Sequence, residues 1–280
     1  MKARLIDSFN LIKLIKDAVI SAAILLCSFS PISAHAAESP NIVLYPYHAL
    51  LNEAEQSAYN QAYENSLAYN SDLFVLDMVI TEAGLENAMN ALFNDHPELY
   101  WVNTSYKYSV DPRGNVKKLQ LKFGFTPAEF AVAQVNYNTV LDNIVKEANK
   151  FPTALEKEKY IHDTICAMNT YNESSILNQS AYSALTCGSS VCAGYARAFQ
   201  VACQRVGIPC YYVTGESMGE THAWNIVYIN GKFVNVDLTW NDCISEITGV
   251  NSYTYFNQND LVFNKDHSRS TLSTQLYACN

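Results

Sequence analysis

Charge is scarce in this 280-residue chain: Asp, Glu, Lys and Arg together make up 16% of it, against 49% hydrophobic residues. A chain this long and apolar can bury one large core or two modest ones, which excludes a disordered tail or a small disulfide knot. Basic clusters are missing, the net charge is −9 and the pI is near 5.1. Nucleic acid and anionic membranes would repel such a surface, so neither is an expected partner. There is no Cys-x-x-Cys pair and no His-Glu-x-x-His, which argues against thioredoxin-type and zinc chemistry, and no metal or cofactor is expected. No internal repeat is visible.

The apolar run from Ala18 to Phe29 is too short to cross about 30 Å of hydrocarbon comfortably, and Pro31 interrupts its continuation. Lys2, Arg4, Lys13 and Lys16 precede it and Ala34-His35-Ala36 follows. That is the layout of a secretory signal peptide spanning 1–36, and it outweighs the rival reading as a permanent anchor. Ile24-Leu25-Leu26 lacks the small residue expected before a lipobox cysteine at Cys27. Cleavage would remove four basic and two acidic residues and leave a net charge of −11. The expected product is secreted or periplasmic, acidic and without stable membrane insertion.

Seven cysteines follow that segment: Cys166, Cys187, Cys192, Cys203, Cys210, Cys243 and Cys279. Thiols pair in an oxidising compartment. If one is a reactive nucleophile, six remain for up to three disulfides, and spacing alone does not assign the pairs.

Helical periodicity runs from about 52 to 70, and a shorter helix is expected from Leu85 to Phe93, ended by Asp95-His96-Pro97. Tyr106–Val110 and Val116–Phe123 alternate around Asp111-Pro112-Arg113-Gly114-Asn115, which reads as a β-hairpin. Residues 37–125 would thus be a small α+β amino-terminal region. Thr126-Pro127-Ala128-Glu129 carries a hydroxyl cap, a proline at the first helical position and a glutamate three residues after the cap. Helices over 127–149 and 154–169 should open a second unit, 126–280.

The chemistry gathers in that second unit. Gly188 to Phe199 reads as a buried helix capped by Ser189 or Ser190 and ended by Gly207 and Pro209, which puts Cys192 in its first turn. Unpaired N–H groups and the positive end of the helix dipole favour a thiolate there and can receive an oxyanion. Asn230-Gly231, flanked by apolar-rich runs, predicts a two-residue hairpin turn. Ile229 then faces Lys232. Continuing the register places His222, Trp224, Asp237 and Thr239 on one face, with His222 and Asp237 as diagonal neighbours about 7–8 Å apart at the backbone. A thiol, an imidazole and a carboxylate so arranged suit acyl transfer: His222 takes the thiol proton and Asp237 orients the ring.

Val191-Cys192-Ala193-Gly194-Tyr195-Ala196, His222-Ala223-Trp224-Asn225 and Val236-Asp237-Leu238-Thr239-Trp240 resemble the three core motifs of the bacterial transglutaminase-like superfamily, in the same order. Pro97-Glu98-Leu99-Tyr100-Trp101, Tyr255-Phe256-Asn257 and His267 also resemble its members. The resemblance implies an α+β, papain-like core in which a Cys-bearing helix packs on an antiparallel sheet bearing His and Asp. It carries the roles of nucleophile, base and orienting group onto Cys192, His222 and Asp237. It implies a peptide or protein substrate, cell-wall and surface proteins included. The resemblance does not fix the reaction; with the triad and the signal peptide, thiol-dependent hydrolysis of peptide or protein amide bonds is the leading expectation, and glutamine acyl transfer, deamidation and an inactive binding module are the alternatives. Related enzymes use an upstream polar or aromatic side chain as oxyanion donor, which makes Tyr171 and Tyr182 candidates beside a more ordinary structural role. Trp224 and Trp240 are expected to wall the cleft. His162 and Cys166, four apart on a predicted helix, imitate a dyad without an evident carboxylate beyond Asp163.

Overall fold

The computed structural model describes residues 42–280; the expected signal peptide, 1–36, lies outside them. A short helix α1 (Pro46–Leu50) leads into α2 (Glu53–Leu67), which Asn52 and Glu55 start with a reciprocal capping box. Strand β1 (Phe74–Thr81), which the periodicity did not single out, is followed by α3 (Glu82–Asp95). The expected hairpin forms β2 (Lys107–Val110) and β3 (Asn115–Gln120), and β3 is the middle strand of a three-stranded antiparallel sheet with β1.

Thr126 and Glu129 form the anticipated capping box of α4 (Pro127–Ala148), and Thr153 and Glu156 form another for α5 (Ala154–Met168). The stretch after α5 pairs β4 (Thr170–Tyr171) with β5 (Ser189–Ser190) in parallel, around a π-helical turn at Ser183–Cys187. Helix α6 (Cys192–Arg205) then leads to a four-stranded antiparallel sheet. Its strands are β6 (Cys210–Ser217), β7 (Glu220–Ile229), β8 (Lys232–Val236) and β9 (His267–Arg269), ordered β8-β7-β6-β9. Helices α7 (Leu238–Thr248) and α8 (Asp260–Phe263) fill the connection from β8 to β9.

One continuous cluster of buried side chains runs from Tyr47 to Leu272, across the expected division near residue 125. Polar contacts follow it: the Tyr47 hydroxyl donates to the Tyr212 carbonyl at 2.5 Å, and the Gln200 amide donates to the Asn94 carbonyl at 2.9 Å. The fold is α+β, with the Cys-bearing α6 packed on the antiparallel sheet.

The β7–β8 register is the expected one, Ile229 facing Lys232 and Asn225 facing Val236. Asn230 and Gly231 both take the left-handed backbone conformation, φ 50° and 82°, that this tight turn requires. The ladder stops sooner than expected. Asp237 is the N-cap of α7 and its Oδ1 accepts the Trp240 N–H at 3.1 Å, so Thr239 sits in a helix rather than opposite His222. The cap wins because the segment after α7 covers the strand edge: the Asp237 N–H donates to the Tyr255 carbonyl and the Asn235 N–H to that of Gln258.

Candidate active site

Cys192 is the first residue of α6, but neither serine caps that helix. Val191 is the N-cap, without a side-chain bond, and Ser190 instead donates to the Asn178 carbonyl at 2.7 Å. Gly194 explains why this helix start can be so enclosed. A Cβ there would lie 1.9 Å from Ser190 Oγ and within 2.9 Å of the Asn178 and Ser180 carbonyls, so only glycine lets the 178–180 loop cross the first turn. Gly207, φ 82°, ends α6, with the Ile208 N–H donating back to the Cys203 carbonyl at 2.9 Å. Cys192 is half-buried, against Val191, Ala193, Ala196, Tyr212 and Ala223.

His222 stands on β7 with its side chain 9% exposed, and its Nε2 lies 2.7 Å from Asp237 Oδ2. Burial favours the neutral ring, but the charge and hydrogen bond of Asp237, then the neighbouring Cys192 thiol, hold the imidazolium up to about 10. Burial likewise opposes charge on Asp237, and the His222 charge with hydrogen bonds from two histidines holds its carboxyl down to about 2. Because Nε2 is committed to Asp237, Nδ1 is the nitrogen left for the thiol. The assembly can therefore pass a proton from sulfur to nitrogen while the carboxylate fixes the ring.

The second histidine is His267, which the sequence reading noted only as part of the resemblance. Its Nε2 lies 3.0 Å from the same Asp237 Oδ2. His222, Asp237 and His267 bring three potential ligand atoms within 4.8 Å of one another, yet contacts of 2.7 and 3.0 Å are hydrogen bonds that already use those atoms.

The remaining candidates are dispersed. Trp240 is close, its ring centroid 6.2 Å from that of His222 and its indole N–H donating to Ser217 Oγ at 3.1 Å. Trp224 does not wall a cleft: it is 1% exposed, packs in the core below His222 and donates to Asn235 Oδ1 at 3.3 Å. Phe263 and His267 cover the ring, at centroid distances of 5.6 and 5.2 Å. Tyr171 is partly exposed and near Cys192; partial burial, followed by the charge of Cys192, raises its hydroxyl pKa. Tyr182 packs with Tyr100 and Phe125 in the main core instead. All seven described cysteines are free thiols. A cavity of about 210 Å³, lined by Pro97, Tyr100, Asn103, Leu177, Asn178 and Arg197, opens beside the loop that crosses α6.

Residues 141–238 match the profile of the transglutaminase-like superfamily. This region is a transglutaminase-like domain. The matched span holds Cys192, His222 and Asp237. Human kyphoscoliosis peptidase is 27% identical over 207 residues, covering 65% of this chain and 31% of its own length. The mouse kyphoscoliosis peptidase is 32% identical over 102 residues, covering 30% and 15%. The chain thus spans a third or less of the length of these curated relatives. A solved TGase structure aligns over 60% of this chain and 50% of its own, at 14% identity and a TM-score of 0.36.

Proposed function

We propose that this chain is an exported thiol-dependent hydrolase of peptide or protein amide bonds, with Cys192 as nucleophile, His222 as base and Asp237 as its orienting group. The observation that carries the reading is the His222 ring, tied through Nε2 to a buried carboxylate while its other side meets a thiol at a helix start. His222 Nδ1 holds the proton taken from the thiol, leaving a thiolate–imidazolium pair, and the thiolate sulfur bonds to the amide carbon. First-turn N–H groups of α6 steady the oxyanion. The C–N bond then breaks, with the proton passing from His222 to the leaving amine. Water, deprotonated by His222, opens the thioester, releasing the acid and restoring the thiol. Tyr171 is the candidate side chain for assisting the oxyanion, and the 210 Å³ cavity a candidate recess for substrate.

The peptidase names of the matched relatives favour hydrolysis over transfer. Mass spectrometry of a glutamine-containing peptide, with and without an added primary amine, tests the choice. Cleavage adds water across the backbone, transfer to the amine loses ammonia, and deamidation gains about one mass unit at the side chain. Wild-type protein that yields none of these products while binding the peptide would replace the hydrolase with an inactive binding module. Export is tested separately by amino-terminal sequencing of the mature protein, expected to begin at Ala37.

A further inference from the structure

His267 reaches the site through a close approach. Strand β9 pairs with β6, Gly215 facing both His222 and Arg269. A Cβ on Gly215 would lie 2.0 Å from the Ser268 carbonyl oxygen and 2.6 Å from the Trp224 ring, so any larger residue would push β9 away. The His267 ring is fully enclosed: Phe263 stacks on it at 3.9 Å, and Trp224 and Tyr255 meet it edge-on at 5.2 and 5.4 Å.

Both its nitrogens face carboxylates. Nε2 lies 3.0 Å from Asp237 Oδ2, and Nδ1 lies 2.6 Å from Asp266 Oδ1, whose Oδ2 accepts the Tyr255 hydroxyl at 2.7 Å. An ionised carboxylate only accepts hydrogen bonds. Nε2 must therefore carry a proton to bond Asp237, and a second proton must lie between Nδ1 and Asp266. The Asp237 carboxylate then accepts two histidine N–H groups on Oδ2 and the Trp240 amide on Oδ1. The titratable groups packed around this chain are His222 from β7, Asp237 from the start of α7, Tyr255 from the following loop and Asp266 beside β9.

We infer that His267, braced by Asp266, is a positioning residue for the proposed base: its Nε2–H holds Asp237 in place and weakens that carboxylate's pull on the His222 proton. The inference rests on the proposed roles of Cys192 and His222, and it extends the three-residue arrangement to a five-membered chain, His222, Asp237, His267, Asp266 and Tyr255. The physical reason is competition. Two donors on one oxygen share its charge, so losing one leaves the other held more tightly. Outer-shell partners that orient metal-ligating histidines commonly carry tenfold to hundredfold effects, and the same kind of orientation sets the scale here.

Two amides separate positioning from mere packing. Glutamine at 267 reaches roughly where Nε2 stands and can still donate to Asp237, whereas asparagine reaches only the Nδ1 position and turns to Asp266. His267→Gln should keep the NMR titration midpoint of the His222 ring and alkylate Cys192 within about threefold of wild type. His267→Asn should move that midpoint up by half a pH unit or more and, because the unbraced Asp237–His222 pair turns away from the sulfur, slow alkylation about tenfold. Equal behaviour of the two variants, or a wild-type profile in His267→Asn, overturns the inference. The wild-type protein supplies a check that needs no variant: a long-range ¹H–¹⁵N spectrum should show the His267 Nε2 protonated, and an unprotonated Nε2 overturns the inference. Alkylation and titration need no substrate. A chain that hydrolyses nothing yet separates the two amides this way would lose the proposed hydrolase and keep the positioning role.

Discussion

Cys192, His222 and Asp237 have a near duplicate in composition: Cys166, His162 and Asp163. In each cluster the aspartate meets one histidine nitrogen, at 2.7 Å for His222 Nε2 and 3.0 Å for His162 Nδ1. The difference is what occupies the other nitrogen. The Asn241 amide donates to His162 Nε2 at 3.0 Å, filling its lone pair, and Cys166 Sγ stands 4.0 Å away and donates to the Leu238 carbonyl instead. His222 presents its second nitrogen to a thiol. Location differs as well. Cys166 lies inside α5, where burial and the nearby Asp242, Asp163 and Asp237 carboxylates push its thiol pKa far up, whereas Cys192 is half-buried at a helix start. A cysteine and a histidine become a dyad only when the ring has a vacant lone pair and the sulfur lies where negative charge is tolerated.

The largest effect should come from removing the sulfurs. Cys192→Ala is expected to cut peptide turnover at least about a thousandfold, while Cys166→Ala stays within about twofold and loses about 1 kcal/mol of stability with its hydrogen bond. Comparable rate losses in both would erase the distinction. Next come the bases, read by iodoacetamide labelling of Cys192 at pH 7. His222→Ala should slow it about a hundredfold or more. His162→Ala should leave it within a few-fold, yet cost about 1–3 kcal/mol in urea unfolding because buried partners lose their hydrogen bonds. Native labelling that reaches Cys166 as fast as Cys192 would show that burial does not separate the two thiols.

Of the two clusters, the one around Cys192 is the more legible in sequence, because its signals are local. A two-residue Asn230-Gly231 turn dictates register, and Gly207 and Pro209 mark where the Cys192 helix stops, whereas the serines read as its cap do not cap it. The helix begun by Thr126 is legible for the same reason. What escaped depends on residues far apart in the chain. His267 shares a carboxylate with His222 only because Gly215 lets β9 approach, and Trp224 is buried because His267 and Phe263 close over it. The N-cap of α6 is Val191 rather than a serine, and Ser190 is spent on the Asn178 carbonyl. Strand β1 shows no clean alternation of buried and exposed positions, and its pairing with β3 is interrupted between Val75 and Ile80. Asn241, which distinguishes the His162 cluster, sits 79 residues from His162.

The smallest contrast concerns the carboxylates in acid. Both Asp237 and Asp163 are held down to about 2, the first by the His222 charge and hydrogen bonds from both histidines against complete burial, the second by hydrogen bonds from His162, Lys159 and Tyr253 against partial burial. A carboxyl depressed in the folded state contributes stability that is full above its unfolded value near 4 and is lost as pH falls through about 2. At about 1.4 kcal/mol per unit, Asp237 should account for about 2 kcal/mol of lost stability over that window. His222, held up to about 10, keeps its proton in both states there and adds nothing to the slope. Asp163 has a side chain 26% exposed, so water replaces much of what it loses and its share should stay below about 1 kcal/mol. Urea unfolding at pH 5 and pH 2.5 measures this: Asp237→Asn should flatten the pH dependence more than Asp163→Asn. Equal flattening would mean that the His222–Asp237 pair is hydrated in the folded protein, and the proposed base would then lack the dry, fixed partner that distinguishes it from His162.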